Sequence, residues 1–456
     1  MEKKIVIIGG GPAGYAAAIR AAQLGAQVIL AEERDIGGTC LNIGCIPTKA
    51  LLHTSGFFHK LKSKSVAGII ANDVSVDWHE AQTHKMRTVR QLTNGVEMLL
   101  SHNGVTVIKE RAIPMADGRV KIGSEEVTAT AVILATGSQS AKLNFPGSDL
   151  PEVVDSAAAL SFDELPESIV IVGGGVIGVE FATLFYQLGV KVTILEMLPK
   201  ILPSIDTDAA TRLREVMENE GVDVRTGATL KSVLKGPSGL TVNFSENGAA
   251  QNVTADRVLI AAGRKPNTEG LGLEETGVRL NRGAVEVDEY FRTSVPGIYA
   301  VGDCNGQNML AHAAMAQGIA AAGHIMGETP NYDPKVVPAC VYSCPEIASV
   351  GITEESAREG GSDYSVGLFS LSGNGKALIE GESGFVKIIA DNKLGEIMGV
   401  HIVAPRATEI IAEAALCMRM EGTAEDIVRT VHAHPTVSEA FNEAALSVFG
   451  KPIHSI

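Results

Sequence analysis

Apolar and polar positions fall in blocks along this chain, and one succession of blocks occurs twice. An apolar run, Ile5 to Ile8, meets the turn GGGPAG; small residues follow as far as Leu24-Gly25, and a second apolar run ends at Glu32. The pattern predicts strand, glycine turn, helix and strand. The same order returns from Ile169 to Val172 onward. Gly9, Gly11 and Gly14 match Gly173, Gly175 and Gly178 at a constant offset of 164, as do Leu24 with Leu188, Gly25 with Gly189 and Glu32 with Glu196. Further on, AVILATG (Ala131 to Gly137) pairs with VLIAAGR (Val258 to Arg264) at an offset of 126, so the first copy holds about 38 more residues. The surplus contains GGTCLNIGCIPTKALL and a helical stretch expected from Lys49 to Leu100.

In both copies a strand runs into GxGxxG, a helix opens there, and an acid stands eighteen residues beyond the third glycine. Together these features specify a dinucleotide site: glycines let the backbone approach a pyrophosphate, the helix start supplies a positive field, and the carboxylate takes ribose hydroxyls. The stretch Asn144 to Pro166, rich in Pro, Asp, Glu and Ser, and the run TPNYDPKVVP (Thr329 to Pro338) read as connections. Beyond them strand-like runs (Ala348 to Ile352, Gly384 to Ile389, Ile397 to Val403) alternate with helices (Ala407 to Met420, Ser438 to Phe449) without a glycine fingerprint. The expected fold is α/β, with two Rossmann-like dinucleotide-binding domains (1–145 and 146–268), a return to the first (269–333) and a C-terminal α+β domain (334–456).

Cys40 and Cys45 are separated by four residues, and Pro47 fits the first turn of a helix beginning beside Cys45. The positive end of that helix and Lys49 favour a thiolate, which points to a redox pair. Zinc would want closer spacing and two more ligands, and inert core thiols need no flanking Gly37, Gly38 and Gly44, so no metal site is expected. Cys340 and Cys344 read as structural thiols, Cys304 and Cys417 as core.

With 456 residues, 45% hydrophobic and 20% charged, the chain is long enough for several full cores, and disorder is excluded. A net charge of -15 disfavours nucleic acid and anionic membranes as partners and suits a basic partner surface. Six cysteines are too few for a secreted disulfide scaffold. The lysines and apolar run at the start imitate an export signal, but the pattern recurs internally, so a cytoplasmic location is expected.

Asp303, at the end of TSVPGIYAVGD, could simply cap the helix expected over Leu310 to Ile325. Together with the first fingerprint it resembles the second flavin motif of two-dinucleotide-domain flavoproteins, which implies FAD in the first copy. The second copy then takes a nicotinamide nucleotide. Glu196 accepts from a free 2′-hydroxyl and repels a 2′-phosphate, and Lys200 is the only base in the EMLPK that begins there, which favours NAD over NADP.

The segments GGGPAG, GGTCLNIGCIPTKALL, ATGS, GGGVIGVE, AAGRKPNT, IYAVGD and HAHPTVSEA, in this order over nearly the full length, resemble the flavin-dependent pyridine-nucleotide disulfide oxidoreductases, and among them the dihydrolipoamide dehydrogenases. The resemblance implies oxidation of protein-bound dihydrolipoyl groups through a Cys40–Cys45 disulfide and FAD to NAD, with Cys40 exchanging with substrate and Cys45 touching the flavin. His434 would be the acid/base, held by Glu439. Lys49 and Glu180 match the family's ion pair near the flavin; Glu180, two residues after Gly178 on a buried helix turn, needs a partner in any case. Gly9, Gly11, Gly14, Glu32, Lys49, Thr136, Gly137 and Asp303 would hold FAD, and Gly173, Gly175, Gly178, Glu196 and Gly263 would hold NAD. Relatives are homodimers in which the His-Glu pair reaches the other subunit's cysteines. The chain opens at its first strand, so the lipoyl group is expected on another polypeptide, within a 2-oxoacid dehydrogenase-type complex with its acyltransferase core or a glycine-cleavage system. Ala313 to Ala316 depart from the charged residues that relatives often carry there. The alternative is another disulfide or metal-ion reductase of the family, opposed by Glu196 and by a C-terminus, GKPIHSI, without a cysteine pair.

Overall fold

The computed structural model describes residues 3–63, 68–237 and 239–455, which fall into two compact units. The first comprises 1–50, 82–141 and 263–334; the second comprises 51–81, 142–262 and 335–456.

In the first unit five parallel strands lie in the order Ile298–Ala300, Ala131–Leu134, Lys4–Ile8, Gln27–Ala31 and Thr106–Ile108. Both faces of such a sheet are covered, which is why its strands read as continuous apolar runs; Ile5, Val6 and Ile7 are all at 0% exposure. The helix Pro12–Gln23 follows the first strand and packs on Ala311–Met326. That contact needs small residues. A Cβ on Gly318 would stand 2.3 Å from the Ala13 carbonyl oxygen, and Ala17, Ala21 and Ala321 are fully buried. The apolar Ala313 and Ala314 belong to this packing: both are buried, and a Cβ on Gly302 would lie 3.2 Å from that of Ala314.

The second unit repeats the plan with Asp223–Thr226, Lys191–Glu196, Ser168–Val172, Arg257–Ile260 and Val153–Asp155, again all parallel. Its helix Val176–Gln187 stands at the offset of 164 from Pro12–Gln23. Each copy also carries a three-stranded antiparallel sheet that the sequence patterns do not single out, Ala112–Pro114 to Glu125–Thr128 and Ala228–Gly236 to Ala249–Ala255.

The C-terminal part of this unit is an antiparallel sheet, Ala339–Val341, Glu346–Gly351, Ile397–Ala404, Phe385–Asp391 and Tyr364–Ser370. Helices Ala407–Arg419 and Glu439–Val448 bury Ile411, Ala414, Phe441 and Ala444 in one core with Val386, Ile388 and Ile402.

Several expectations shift. The helical stretch from Lys49 to Leu100 is two helices, Cys45–Lys62 and Trp78–His102. The connection Asn144 to Pro166 holds the edge strand Val153–Asp155. Unit boundaries fall at 141/142, 262/263 and 334/335, against expected ones at 145/146, 268/269 and 333/334. Strand Arg264–Pro266 pairs antiparallel with Ser138–Ser140, which draws the chain into the first unit before residue 268. Residues 51–81 join the second unit because Leu51 enters its core, Ser55 Oγ donates to Gln187 Oε1 (2.7 Å) and Trp78 Nε1 donates to the Phe162 carbonyl (2.8 Å).

Candidate active site

The two fingerprint loops are superimposable in their local chemistry. Gly9 and Gly173 have φ of 107° and 109°, and a Cβ on either would stand 2.3 or 2.5 Å from a carbonyl oxygen of the neighbouring strand's end. A Cβ on Gly14 or Gly178 would lie 1.8 or 1.9 Å from the carbonyl of Gly9 or Gly173. These four glycines are demanded by the fold itself.

Gly11 and Gly175 differ. Both are helix N-caps in ordinary extended conformation (φ -70° and -74°), with nothing nearer to a Cβ than 3.9 Å at Gly11 and nothing within 4 Å at Gly175. Protein packing does not require glycine there; a group approaching the backbone does. Neither helix has an acid in its first turn, so its positive field faces the opening uncompensated. The two cradles therefore fit pyrophosphates.

The paired acids are anchored identically. Glu32 accepts from the Gly10 amide (2.6 Å) and the Arg34 amide (2.8 Å); Glu196 accepts from Gly174 (2.6 Å) and Leu198 (2.7 Å). Each carboxylate is thus fixed beside its own loop with lone pairs left for hydroxyl donors. Lys200, the one base after Glu196 in its segment, is committed elsewhere: Nζ donates to the Ile205 carbonyl and to Thr207 Oγ1, both at 2.9 Å.

The cysteine segment is built onto the first cradle. Gly37 and Gly38 take positive φ (95° and 56°), the Gly37 amide donates to the Gly10 carbonyl (2.9 Å), and a Cβ on Gly38 would stand 2.7 Å from the Gly11 Cα. Cys40 lies in the short helix Gly38–Ile43, Gly44 breaks it, and Cys45 is the first residue of Cys45–Lys62. The side chain of Asn42 ties the segment to the carbonyls of Ile36 and Gly38. The sulfurs of the two cysteines are in hydrogen-bond contact. That contact, then burial, pushes Cys40 well above the ordinary thiol range, while Lys49 pulls the other way.

Tyr15, absent from the sequence-level candidates, is also here: its hydroxyl donates to Met315 Sδ (3.4 Å), and burial, then Cys40 and Cys45, hold its pKa above the usual value.

Asp303 sits in the turn Gly302–Asn305 after Ile298–Ala300 and does not cap the next helix, whose N-cap is Leu310. The turn is held by Gln317, fully buried, whose side-chain Oε1 accepts from the Gly302 amide and from Asn305 Nδ2, each at 2.8 Å. Thr136 and Gly137 lie beside it: Thr136 Oγ1 donates to the Asn267 carbonyl (2.6 Å) and the Asn267 amide donates to the Gly137 carbonyl (2.9 Å). Gly263 has φ 107° with open space beyond.

In the second unit Glu180 is 4% exposed within Val176–Gln187 and accepts from the Tyr342 amide (3.2 Å). On the C-terminal part His434 Nδ1 meets Glu439 Oε1 at 2.7 Å, and the Thr436 amide donates to Glu439 Oε2 at 2.8 Å. Burial raises Glu439, but Thr436 and His434 override it and hold the carboxyl below its usual range. The His434 side chain is 77% exposed, presented outward from its own chain. A second dyad stands beside it unannounced by the sequence: His432 Nε2 to Glu413 Oε1 at 2.8 Å, with Nδ1 on the Thr430 carbonyl. The two histidines of HAH are its signal, but nothing local identifies Glu413 as the partner.

Cys304 is fully buried and its thiol is pushed up to about 11 by burial; Cys344 is raised to about 11 for the same reason. Cys417, expected in the core, is only half-buried at its edge. No described helix is long and apolar enough to cross a membrane.

The family described as pyridine nucleotide-disulphide oxidoreductase matches residues 3–318, and its dimerisation domain matches 337–445. A dihydrolipoyl dehydrogenase of Bacillus subtilis is 43% identical over 99% of this chain and 100% of its own, and one of Geobacillus stearothermophilus is 41% identical over 100% and 98%. Among solved structures, LpdA of Mycobacterium tuberculosis superimposes with a TM-score of 0.90 at 31% identity, covering 97% of this chain and 99% of its own. RclA of Escherichia coli, an HOCl-induced flavoprotein disulfide reductase in a Cu(II) complex, gives 0.86 at 30% identity over 96% and 98%.

Proposed function

The chain belongs to the pyridine nucleotide-disulphide oxidoreductases, enzymes of FAD and NAD that dimerise through their C-terminal domain, and from that premise we propose that it is a dihydrolipoyl dehydrogenase. It oxidises protein-bound dihydrolipoyl groups to lipoyl groups and reduces NAD. The observation that carries this reading is the dithiol Cys40 and Cys45 in sulfur contact at a helix start, seated against the Gly11 cradle of the first nucleotide loop.

The chain's own residues account for the thiol chemistry. Nε2 of His434, with Nδ1 fixed by Glu439, removes a proton from one dihydrolipoyl thiol. The resulting sulfur attacks Cys40 of the oxidised pair, forming a mixed disulfide and releasing Cys45 as thiolate. The second substrate thiol, losing its own proton, displaces Cys40; lipoyl leaves with the new S–S bond and Cys40 keeps a proton. Two electrons now reside on the dithiol. FAD, when bound, would supply the two-electron passage from this dithiol to NAD. Gly9, Gly11, Gly14, Glu32, Thr136, Gly137 and Asp303 would hold it, and Lys49 would add a positive charge to its surroundings. Gly173, Gly175, Gly178, Glu196 and Gly263 would hold NAD.

His434 acts in the site of the partner subunit, which suits its exposure. The lipoyl carrier belongs to a 2-oxoacid dehydrogenase-type complex or a glycine-cleavage system in the cytoplasm. Reduction of a different disulfide or of a metal ion is the competing reading, favoured by the likeness to RclA. Steady-state rates with free dihydrolipoamide and either NAD or NADP decide the matter. The proposal expects NAD to be preferred by orders of magnitude, since Glu196 opposes a 2′-phosphate and Lys200 is occupied. NADP-dependent disulfide reduction with no dihydrolipoamide turnover would refute it.

A further inference from the structure

Three stretches far apart in sequence meet at one hydroxyl. Ser138 Oγ is hydrogen-bonded to Asp303 Oδ2 and, at 2.7 Å, to Arg264 Nε, while Arg264 Nη2 donates to the Ser138 carbonyl at 2.7 Å. The direction of each bond is fixed by valence. Arginine has only donors, and an ionised aspartate only accepts, so the single hydroxyl proton of Ser138 must point at Asp303. Ser138 is 5% exposed, so the relay is sheltered from water.

Arg264 is itself held in register. Its strand, Arg264–Pro266, pairs antiparallel with Ser138–Ser140, Arg264 facing Ser140 and Pro266 facing Ser138, and these two strands leave the homologous ends of the duplicated units, where Ser138 of ATGS corresponds in sequence to Arg264 of AAGR at the offset of 126. The duplication has thus been turned to use. The second copy lends a cation, through Ser138, to the acid of the first nucleotide loop.

We propose that Arg264 is a positioning residue for the flavin, acting through Ser138 to lock the Asp303 carboxylate with Oδ2 engaged and Oδ1 offered to the ligand. This rests on the reading of Asp303 as an FAD contact. A guanidinium placed directly on Asp303 would compete with a hydroxyl ligand for both oxygens; a serine between them transmits polarisation and orientation while leaving one oxygen available.

The test uses the full-length protein stripped of flavin and titrated with FAD, with NAD affinity and thermal melting as fold controls and the flavin midpoint potential as a second readout. Asp303→Asn, Ser138→Ala and Arg264→Met should each weaken FAD binding by about tenfold or more, the loss of one charge-assisted hydrogen bond, and Arg264→Met should also shift the potential. The Ser138→Ala/Arg264→Met pair should lose less than the product of the single losses, because the cation reaches Asp303 only through the hydroxyl. Arg264→Lys, which keeps the charge and the strand but not the fork, carries the comparison if Arg264→Met does not fold. Unchanged FAD affinity in Asp303→Asn would overturn the underlying reading of the site. A loss in Asp303→Asn alone, or strictly multiplicative losses in the pair, would overturn this inference and leave that reading standing.

Discussion

Gly175 and Gly178 belong to one fingerprint, yet they should fail in opposite ways when replaced by alanine. At Gly175 the backbone is already in a conformation open to any residue (φ -74°, ψ -175°), and no atom lies within 4 Å of the added methyl. The folded state should tolerate it, the gain of about 0.4–1 kcal/mol from a less flexible unfolded chain being offset by a similar loss from alanine's poorer capping of the helix start. At Gly178 the methyl would stand 1.9 Å from the Gly173 carbonyl oxygen, a backbone atom that cannot move aside without breaking the loop. The cost should reach or exceed the upper end of the about 1–3 kcal/mol of ordinary overpacking. Ligand binding reverses the order of interest. A methyl at Gly175 occupies the mouth of the cradle, and forfeiting a single charge-assisted bond to pyrophosphate, about 1.5–3 kcal/mol, weakens binding by roughly 10- to 150-fold. Thermal melting of the flavin-loaded protein without NAD, together with calorimetric titration of NAD, measures both effects. Gly175→Ala should melt close to the wild-type temperature and bind NAD at least about tenfold more weakly. A melting temperature depressed as far as that of Gly178→Ala, or an NAD affinity within twofold of wild type, would refute the division between glycines required by the fold and glycines required by the ligand.

Mixing inactive His434→Ala chains with inactive Cys40→Ser chains should restore about a quarter of wild-type activity once subunits have exchanged, since half the dimers are hybrids with one intact site; no recovery after verified exchange would show that the histidine serves its own chain. Lys387, 2% exposed and bonded to fully buried Asp206 as well as to Asp208 and Glu354, should be indispensable to stability. Lys387→Met leaves Asp206 uncompensated and should cost about 3–5 kcal/mol; a loss under about 1 kcal/mol in denaturant melts would contradict the assigned burial. His432 is raised above the ordinary histidine range chiefly by its bond to Glu413, against burial. A raised group lends its stability fully below the unfolded value, about 6.5, and loses it as pH rises through the folded one. Glu413→Gln should therefore melt below wild type at pH 6 and converge with it in alkali, and an equal deficit at both ends would exclude the linkage.

The duplication, both glycine fingerprints and the cysteine pair at a helix start were legible in the chain because each copy is local, whereas the His434–Glu439 pair was reached only through the family resemblance. Periodicity marks which residues are buried within one element, and a positive φ or a close backbone approach is demanded within a few residues of where glycine stands. The paired acids Glu32 and Glu196 were legible for the same reason, but their anchoring to the Gly10 and Gly174 amides appears only when the second strand is laid beside the first. Periodicity names no partner across the fold. That Ile298–Ala300 closes the first sheet against Ala131–Leu134, that residues 51–81 pack with the second unit, and that Ser138, Arg264 and Asp303 converge are decisions of tertiary packing. Lys387 makes the point most sharply. In FVKIIAD it reads as a charge interrupting a strand, and only the arrival of Asp206, from some 180 residues earlier, turns an expensive buried ammonium into a paired one. Sequence determined what each segment could bury and which chemistry it carried; the tertiary structure decided which charges and hydroxyls were brought close enough, away from water, to act together.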